Sequence, residues 1–72
     1  LLRAIMSDSE SIKADIKKLS AKAMQAKMDL HDLSEELPVG IEKVMEIAER
    51  TRDAYAALDA KRAELKALEA VS

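Results

Sequence analysis

The sequence predicts an all-α fold in which an antiparallel two-helix hairpin pairs with a second copy into a four-helix bundle. Three observations predict it: a helix-forming composition, an apolar repeat with alternating steps of three and four, and one Pro–Gly turn. The chain has 72 residues, of which 36% are charged and only one is aromatic, a composition typical of long helices. A chain this short forms one domain at most, so residues 1–72 are expected to make a single hairpin.

The first helix is predicted over about residues 8–37. Ser7 and Glu10 have the spacing of a capping box, which marks a helix start. After them, apolar residues recur at alternating steps of four and three, which keeps them on one face of a helix. These residues are Ile12, Ile16, Leu19, Ala23, Ala26, Leu30, Leu33 and Leu37. We expect this face to pack along its whole length.

The turn is predicted over about residues 38–41. Pro38 disfavours the helical conformation at the residue before it, so it should end the first helix. Gly40 can adopt a positive φ at little cost. A connection this short makes the two helices antiparallel neighbours.

The second helix is predicted over about residues 42–69, with a weaker apolar face because Thr51 and Arg62 interrupt it. The predicted face is Ile41, Val44, Ala48, Thr51, Tyr55, Leu58, Arg62 and Leu65, flanked by Met45, Ile47, Ala54 and Leu68. Folding the hairpin places residue i roughly opposite residue 78 − i, so Tyr55 should face Ala23. A lone hairpin leaves one side of such a face in water, and we therefore expect a homodimer.

The net charge of −2 is unevenly distributed. Residues 28–49 hold seven acids against Lys43, which gives −6, whereas the remainder holds eleven basic residues against seven acids, which gives +4. The seven acids are Asp29, Asp32, Glu35, Glu36, Glu42, Glu46 and Glu49. The turn end of the hairpin should therefore be acidic and attract cations or a basic partner.

The only histidine, His31, lies in this acidic segment and off the predicted apolar face. His31 and Glu35 are four residues apart, which makes them neighbours on one helix face. An imidazole beside carboxylates can bind a divalent transition metal such as nickel, zinc, iron or cobalt. We predict His31, Glu35 and Asp32 as metal ligands, with further ligands supplied by another subunit or a partner. The alternative is a solvated His–Glu pair.

A candidate partner-binding surface continues from the histidine. Met24 and Met28 are predicted on the same outer surface, where methionines are adaptable contact residues. Lys27 and Asp29, which belong to the motif KMDLHDL, complete the predicted partner-binding set. The alternative is that both methionines are buried by broader packing of the four-helix bundle.

Other function classes find little support in the sequence. An enzyme is not expected, because there is no cysteine, no Gly-rich phosphate loop and no enclosing pocket between two thin helices. The lysines of the first helix are scattered around it, and no aromatic residues are available to stack on bases, so nucleic-acid binding is not expected. The apolar start LLRAIM is too short to span a membrane, and a cytoplasmic protein is expected.

Two segments, KMDLHDLSEELP and EKVMEIAERTRDAYAALD, resemble the Rop-like family of small helical hairpin proteins encoded in bacterial nitrogen-fixation gene clusters. The similarity extends from about Ile12 to Leu68. The resemblance implies a hairpin that dimerises into a bundle, an association with nitrogenase assembly or function, and metal binding. A nitrogenase-assembly or electron-transfer protein is then the expected partner besides a second copy.

The leading hypothesis is a non-enzymatic accessory protein of nitrogen fixation that binds a divalent metal, a nitrogenase-related partner, or both, through the His31 region. The first alternative is a structural interaction module with no physiological metal. The second is an RNA-binding protein in the manner of Rop.

Overall fold

The computed structural model describes the backbone of residues 2–71 and the side chains of residues 9–70. Helix α1 (Leu2–Glu36) leads through a turn and a short 3₁₀ helix (Ile41–Lys43) into helix α2 (Val44–Val71). The two α-helices lie side by side in a rod of 55 × 14 × 13 Å. The predicted all-α hairpin is confirmed. No helix in the described part of the chain is long and apolar enough to cross a bilayer.

Helix α1 begins earlier than the capping-box spacing predicts. The backbone is already helical at Leu2, so Ser7 lies within the helix and not at its N-cap. The physical reason is local: the residues before Ser7 are Leu, Arg, Ala, Ile and Met, all of which tolerate a helix well. The helix ends at Glu36, one residue before the predicted end.

The turn closes through successive backbone hydrogen bonds. The Leu37 amide donates to the Leu33 carbonyl at 3.1 Å, and the Ile41 amide donates to the Pro38 carbonyl at 3.2 Å. Between them Gly40 adopts φ 82° and ψ 14°, the conformation of the third residue of a type II turn. A Cβ at this position would lie 2.9 Å from Cδ1 of Leu33. The predicted positive φ of Gly40 is confirmed, and space as well as φ favours glycine there.

The core is narrow and built largely from alanine. In the middle of the rod Ala23, Ala26, Ala54 and Leu58 form a buried cluster, against which Tyr55 packs. Small side chains let the helices approach closely, and the Tyr ring fills the space beside them. The prediction that Tyr55 faces Ala23 is only partly met, because Ala54 takes the inward position and the half-buried Tyr55 packs against the side of the cluster. Near the two ends, Ile12 and Leu33 are also buried.

The predicted apolar face of α2 is wrong in part. Ala48 and Arg62 were expected inside, but both are exposed, as is Ile41. The predicted flanking residues Ile47, Ala54 and Leu68 take the inward positions, together with Lys61. The observed face is Val44, Ile47, Thr51, Ala54, Leu58, Lys61, Leu65 and Leu68, which also has alternating steps of three and four. Helix α2 is thus rotated about its own axis relative to the predicted orientation.

One edge of the hairpin carries two ion pairs between the helices. Lys61 Nζ lies 3.5 Å from Asp15 Oδ2, and Arg50 Nη2 lies 2.5 Å from Asp29 Oδ2. Lys61 also lies 3.2 Å from Glu64, and the hydrogen bond and charge of Glu64, followed by the charge of Asp15, raise the pKa of Lys61. Because Asp15 and Asp29 are four helical turns apart, both pairs lie on the same edge, here named the polar edge.

The opposite edge is apolar. Ile16 and Leu30 are fourteen residues apart and so share one side of α1, where both are half-buried. On α2, Ala48 and Tyr55 are seven residues apart and share the corresponding side, with Ala48 exposed and Tyr55 half-buried. These four residues define the apolar edge. The hairpin alone leaves this edge incompletely covered.

Candidate functional site at the His31 surface

His31 projects into solvent near the C-terminal end of α1. It follows the buried Ala26 by five residues, nearly one and a half turns, so it points away from the core. The side chains of His31 and Glu35 are 67% and 69% exposed, and His31 Nε2 lies 3.3 Å from Glu35 Oε1. The i, i+4 spacing therefore brings the two side chains together as the sequence predicts.

The third predicted ligand, Asp32, lies on the other side of the ring. Its Oδ1 is 3.7 Å from His31 Nδ1. An ion bound between Nε2 and Glu35 would leave Asp32 beside the free ring nitrogen, where a carboxylate orients an imidazole ligand. The Ser34 hydroxyl donates a hydrogen bond to the His31 carbonyl at 2.7 Å and adds a polar contact to the same turn.

The spacing of the two donors suits a shared metal ion. Donors bound to one zinc at about 2.0–2.1 Å are separated by about 3.0–3.4 Å in common geometries, and the observed 3.3 Å falls in that range. Among the described residues, no group of three or more His, Cys, Asp or Glu side chains is arranged to hold a metal. The described residues of one hairpin thus provide two metal ligands, and any remaining ligands would come from another molecule.

The local electrostatics favour a cation. Asp32, Glu35 and Glu36 occupy the end of α1, and the last turn contains no basic residue. The C-terminal end of a helix carries a partial negative charge, so acids placed there are unfavourable for the helix itself. This arrangement raises the negative potential around His31, and a bound cation or basic partner would relieve it.

Asp29 is engaged by the fold. One of its carboxylate oxygens pairs with Arg50 across the helices, and the other accepts a hydrogen bond from Gln25 at 2.9 Å. Lys27, by contrast, is exposed. Of these two predicted partner-binding residues, Asp29 therefore has an internal role in joining the helices, whereas Lys27 is accessible.

Met24 and Met28 are both about half exposed, at 52% and 54%. Together with His31 and Glu35 they follow steps of four, three and four, which places all four on one outer stripe of α1. The packing within one hairpin does not bury the two methionines. We call this set of four residues the His31 surface.

The sequence interpretation missed a groove on the polar edge. The groove has a volume of about 520 Å³ and is lined by Leu19, Lys22, Gln25, Ala26, Asp29, Glu46, Glu49, Arg50, Asp53, Ala54 and Ala57. Its alanines come from both helices, so the groove exists only in the folded register. Arg50 was not singled out because one arginine in a helix so rich in charge gives no distinguishing signal.

Comparison with known proteins identifies the family. The Rop-like family model matches residues 7–70. A UPF0437 protein of Azorhizobium caulinodans is 52% identical over 65 residues, covering 90% of this chain and 94% of the relative. A UPF0437 protein of Sinorhizobium fredii is 45% identical over 64 residues, covering 89% and 96%.

A third relative is named for its place among nif genes. It is described as a UPF0437 protein in the nifX-nifW intergenic region of Frankia alni and is 47% identical over 49 residues, covering 68% of this chain and 60% of the relative. No solved structure matches the chain significantly. The family match spans nearly the whole hairpin and confirms the resemblance carried by the residues around His31. The chain belongs to the Rop-like family, with UPF0437 relatives that include one from a nitrogen-fixation gene cluster.

Proposed function

We propose that the protein is a non-enzymatic accessory protein of nitrogen fixation that binds a divalent metal ion, a nitrogenase-related partner protein, or both, through the His31 surface. The family relationship supports a role in nitrogen fixation, since one relative is encoded in a nifX-nifW intergenic region. The observation that carries the site is the 3.3 Å approach of His31 Nε2 to Glu35 Oε1 on an exposed, acidic helix end.

Metal binding would use His31 and Glu35 as the two donors of one chain. Such a pair binds weakly, because most stable sites for these metals have three or four protein ligands. A partner protein or a second subunit that supplies the missing ligands would raise the affinity of the site for the metal. Metal and partner are therefore coupled in this proposal, and each should strengthen the binding of the other.

The test is metal titration of protein purified without a histidine tag. We expect the His31→Ala variant to lose nickel or zinc binding in calorimetry while keeping its helical circular dichroism, and Glu35→Gln to weaken it. Glu64→Gln is the matched control, since Glu64 lies on the polar edge far from His31 and should leave binding unchanged. Equal affinity in wild type and His31→Ala would remove the histidine from the site.

We also propose that the functional unit is a homodimer joined through the apolar edge. Two observations support it: Ile16, Leu30 and Tyr55 are only partly buried on that edge, and Rop-like hairpins typically form dimeric helical bundles. The two edges offer a matched pair of exposed alanines for the test. In sedimentation equilibrium, Ala48→Glu on the apolar edge should give monomers, whereas Ala57→Glu on the polar edge should not. The opposite result would move the interface to the polar edge.

A further inference from the structure

The turn end carries large apolar side chains that the hairpin does not bury. Val39, Ile41 and Met45 are 73%, 60% and 79% exposed, and Met45 and Val39 are the two most exposed large apolar side chains in the described part of the chain. All three lie within seven consecutive residues at one end of a rod 55 Å long. We name these three residues the apolar tip.

The proposed dimer explains only part of the apolar tip, since Ile41 precedes Ala48 by seven residues and so lies toward the apolar edge, whereas Val39 and Met45 do not. Met45 precedes the buried Ala54 by nine residues, or two and a half helical turns, so it lies on the opposite side of α2 from the core. Val39 lies in the turn itself, beyond the end of the packed helices. A second hairpin packed on the apolar edge would therefore leave both side chains in water.

The apolar tip is also preformed. The Val39 amide donates to the Glu36 carbonyl at 3.0 Å, and the Lys43 amide donates to the Gly40 carbonyl at 2.9 Å. These bonds fix the backbone between the helices, so the main chain that carries the side chains needs no further ordering. A preorganised surface loses less conformational entropy on binding than a flexible loop.

The charges around the apolar tip define the chemistry of what it binds. Glu36, Glu42 and Glu46 are exposed and form no ion pair with any described residue, and the exposed Lys43, which lines a groove with Val39, reduces the sum of these four charges to −2. Glu42 and Glu46 also suit the start of α2, but Glu36 lies at the negative end of α1, where the helix gains nothing from it. Apolar side chains rimmed by acids are complementary to a segment with apolar anchors flanked by Lys or Arg.

We propose that the apolar tip is a docking site for a basic amphipathic segment of a partner protein. The apolar anchors of that segment contact Val39, Ile41 and Met45, and its Lys or Arg side chains pair with the surrounding glutamates. This surface is separate from the His31 surface, because Met45 on α2 and His31 on α1 both point away from the core between the helices and so lie on opposite sides of the rod. The two proposals therefore succeed or fail independently.

The experiment uses three synthetic helical peptides as probes. One combines Lys and Leu at helical spacing, the second replaces Leu by Ser, and the third replaces Lys by Glu. Fluorescence anisotropy of the labelled Lys–Leu peptide should show binding to the full chain that weakens at high salt. The Lys–Ser and Glu–Leu peptides should each bind at least about tenfold more weakly, a loss of about 1.4 kcal/mol.

The matched variants locate the site. Val39→Ser combined with Met45→Ser should weaken binding of the Lys–Leu peptide about tenfold or more, whereas Met24→Ser combined with Met28→Ser, and His31→Ala alone, should leave it unchanged. Equal binding of the Lys–Leu and Lys–Ser peptides, or unchanged binding by the Val39 and Met45 variant, overturns the proposal. A shift of that variant from dimer to monomer in sedimentation equilibrium also overturns it, since the occupant is then a second copy.

Discussion

In the middle of the hairpin, Ala23, Ala26 and Ala54 bring the helices together with small buried side chains, whereas at the turn end Val39 and Met45 are large and exposed. The chain therefore uses its smallest apolar residues where packing is tight and leaves large ones where nothing within the hairpin covers them. Folding requires the first group, whereas the second belongs to the docking surface that we propose. Substitutions in the two regions should consequently separate stability from recognition.

The largest expected effect is at the centre of the core. Leu58→Ala removes the one large side chain of the buried cluster and should lower the free energy of unfolding by about 2–5 kcal/mol. Urea denaturation followed by circular dichroism, at one fixed protein concentration, measures it. Met45→Ala is the matched control from the turn end and should change stability by no more than about 0.5 kcal/mol. Similar losses in the two variants would abolish the contrast between the regions.

A smaller loss of stability is expected from substitutions in the turn. Gly40→Ala forces a non-glycine residue into a left-handed conformation and meets Leu33, so it should cost about 1–2 kcal/mol. Gly40→Asn tolerates this φ better and should lose less in the same denaturation experiment. If the alanine variant were as stable as wild type, the turn would have a different conformation in solution.

At the end of α1 the expected effect is smaller and of opposite sign. Glu36→Gln removes an acid from the negative end of the helix and should raise stability by about 0.3–1 kcal/mol at low salt. The gain should vanish at high salt, where screening removes the interaction. Thermal unfolding at two salt concentrations measures both. A loss of stability would mean that Glu36 has a favourable contact within the fold.

The smallest effect is expected at the interhelical ion pair. Because Asp29 and Arg50 are both partly exposed, their pairing should contribute about 0.2–1 kcal/mol. A double-mutant cycle with Asp29→Asn and Arg50→Gln isolates this coupling. Zero coupling would leave Asp29 free to serve as the partner contact that the sequence suggests.

Much of the fold was predictable because α1 and the turn carry unambiguous signals. The unbroken repeat from Ile12 to Leu33 has one helical interpretation, and Pro38 with Gly40 admits one kind of connection. Helix α2 was harder for a physical reason. Val44, Thr51, Leu58 and Leu65 fit two faces equally, one completed by Ala48 and Arg62 and the other by Ile47 and Lys61. Which of the two faces is buried depends on where α1 packs. The sequence of α2 alone does not contain that information.

In the candidate site, too, some features follow from local sequence and others depend on how the two helices pack. The adjacency of His31 and Glu35 follows from helical spacing, so local sequence was sufficient to predict it. The ion pair between Asp29 and Arg50 depends on how two distant segments align, and no local sequence pattern predicts it. The exposure of Val39 and Met45 was missed for a related reason, since whether an apolar residue near a turn is covered depends on the rotation of the second helix.

The slenderness of the rod has a consequence for how such a protein can diversify. With a cross-section of 14 × 13 Å, the hairpin has almost no interior, and six hydrophobic residues make up the buried core of its described part. Few positions are fully buried, and most substitutions at the many exposed positions should each change stability by no more than about 0.5 kcal/mol. A scaffold of this kind can acquire new specificities at its extremities while its shape is inherited unchanged.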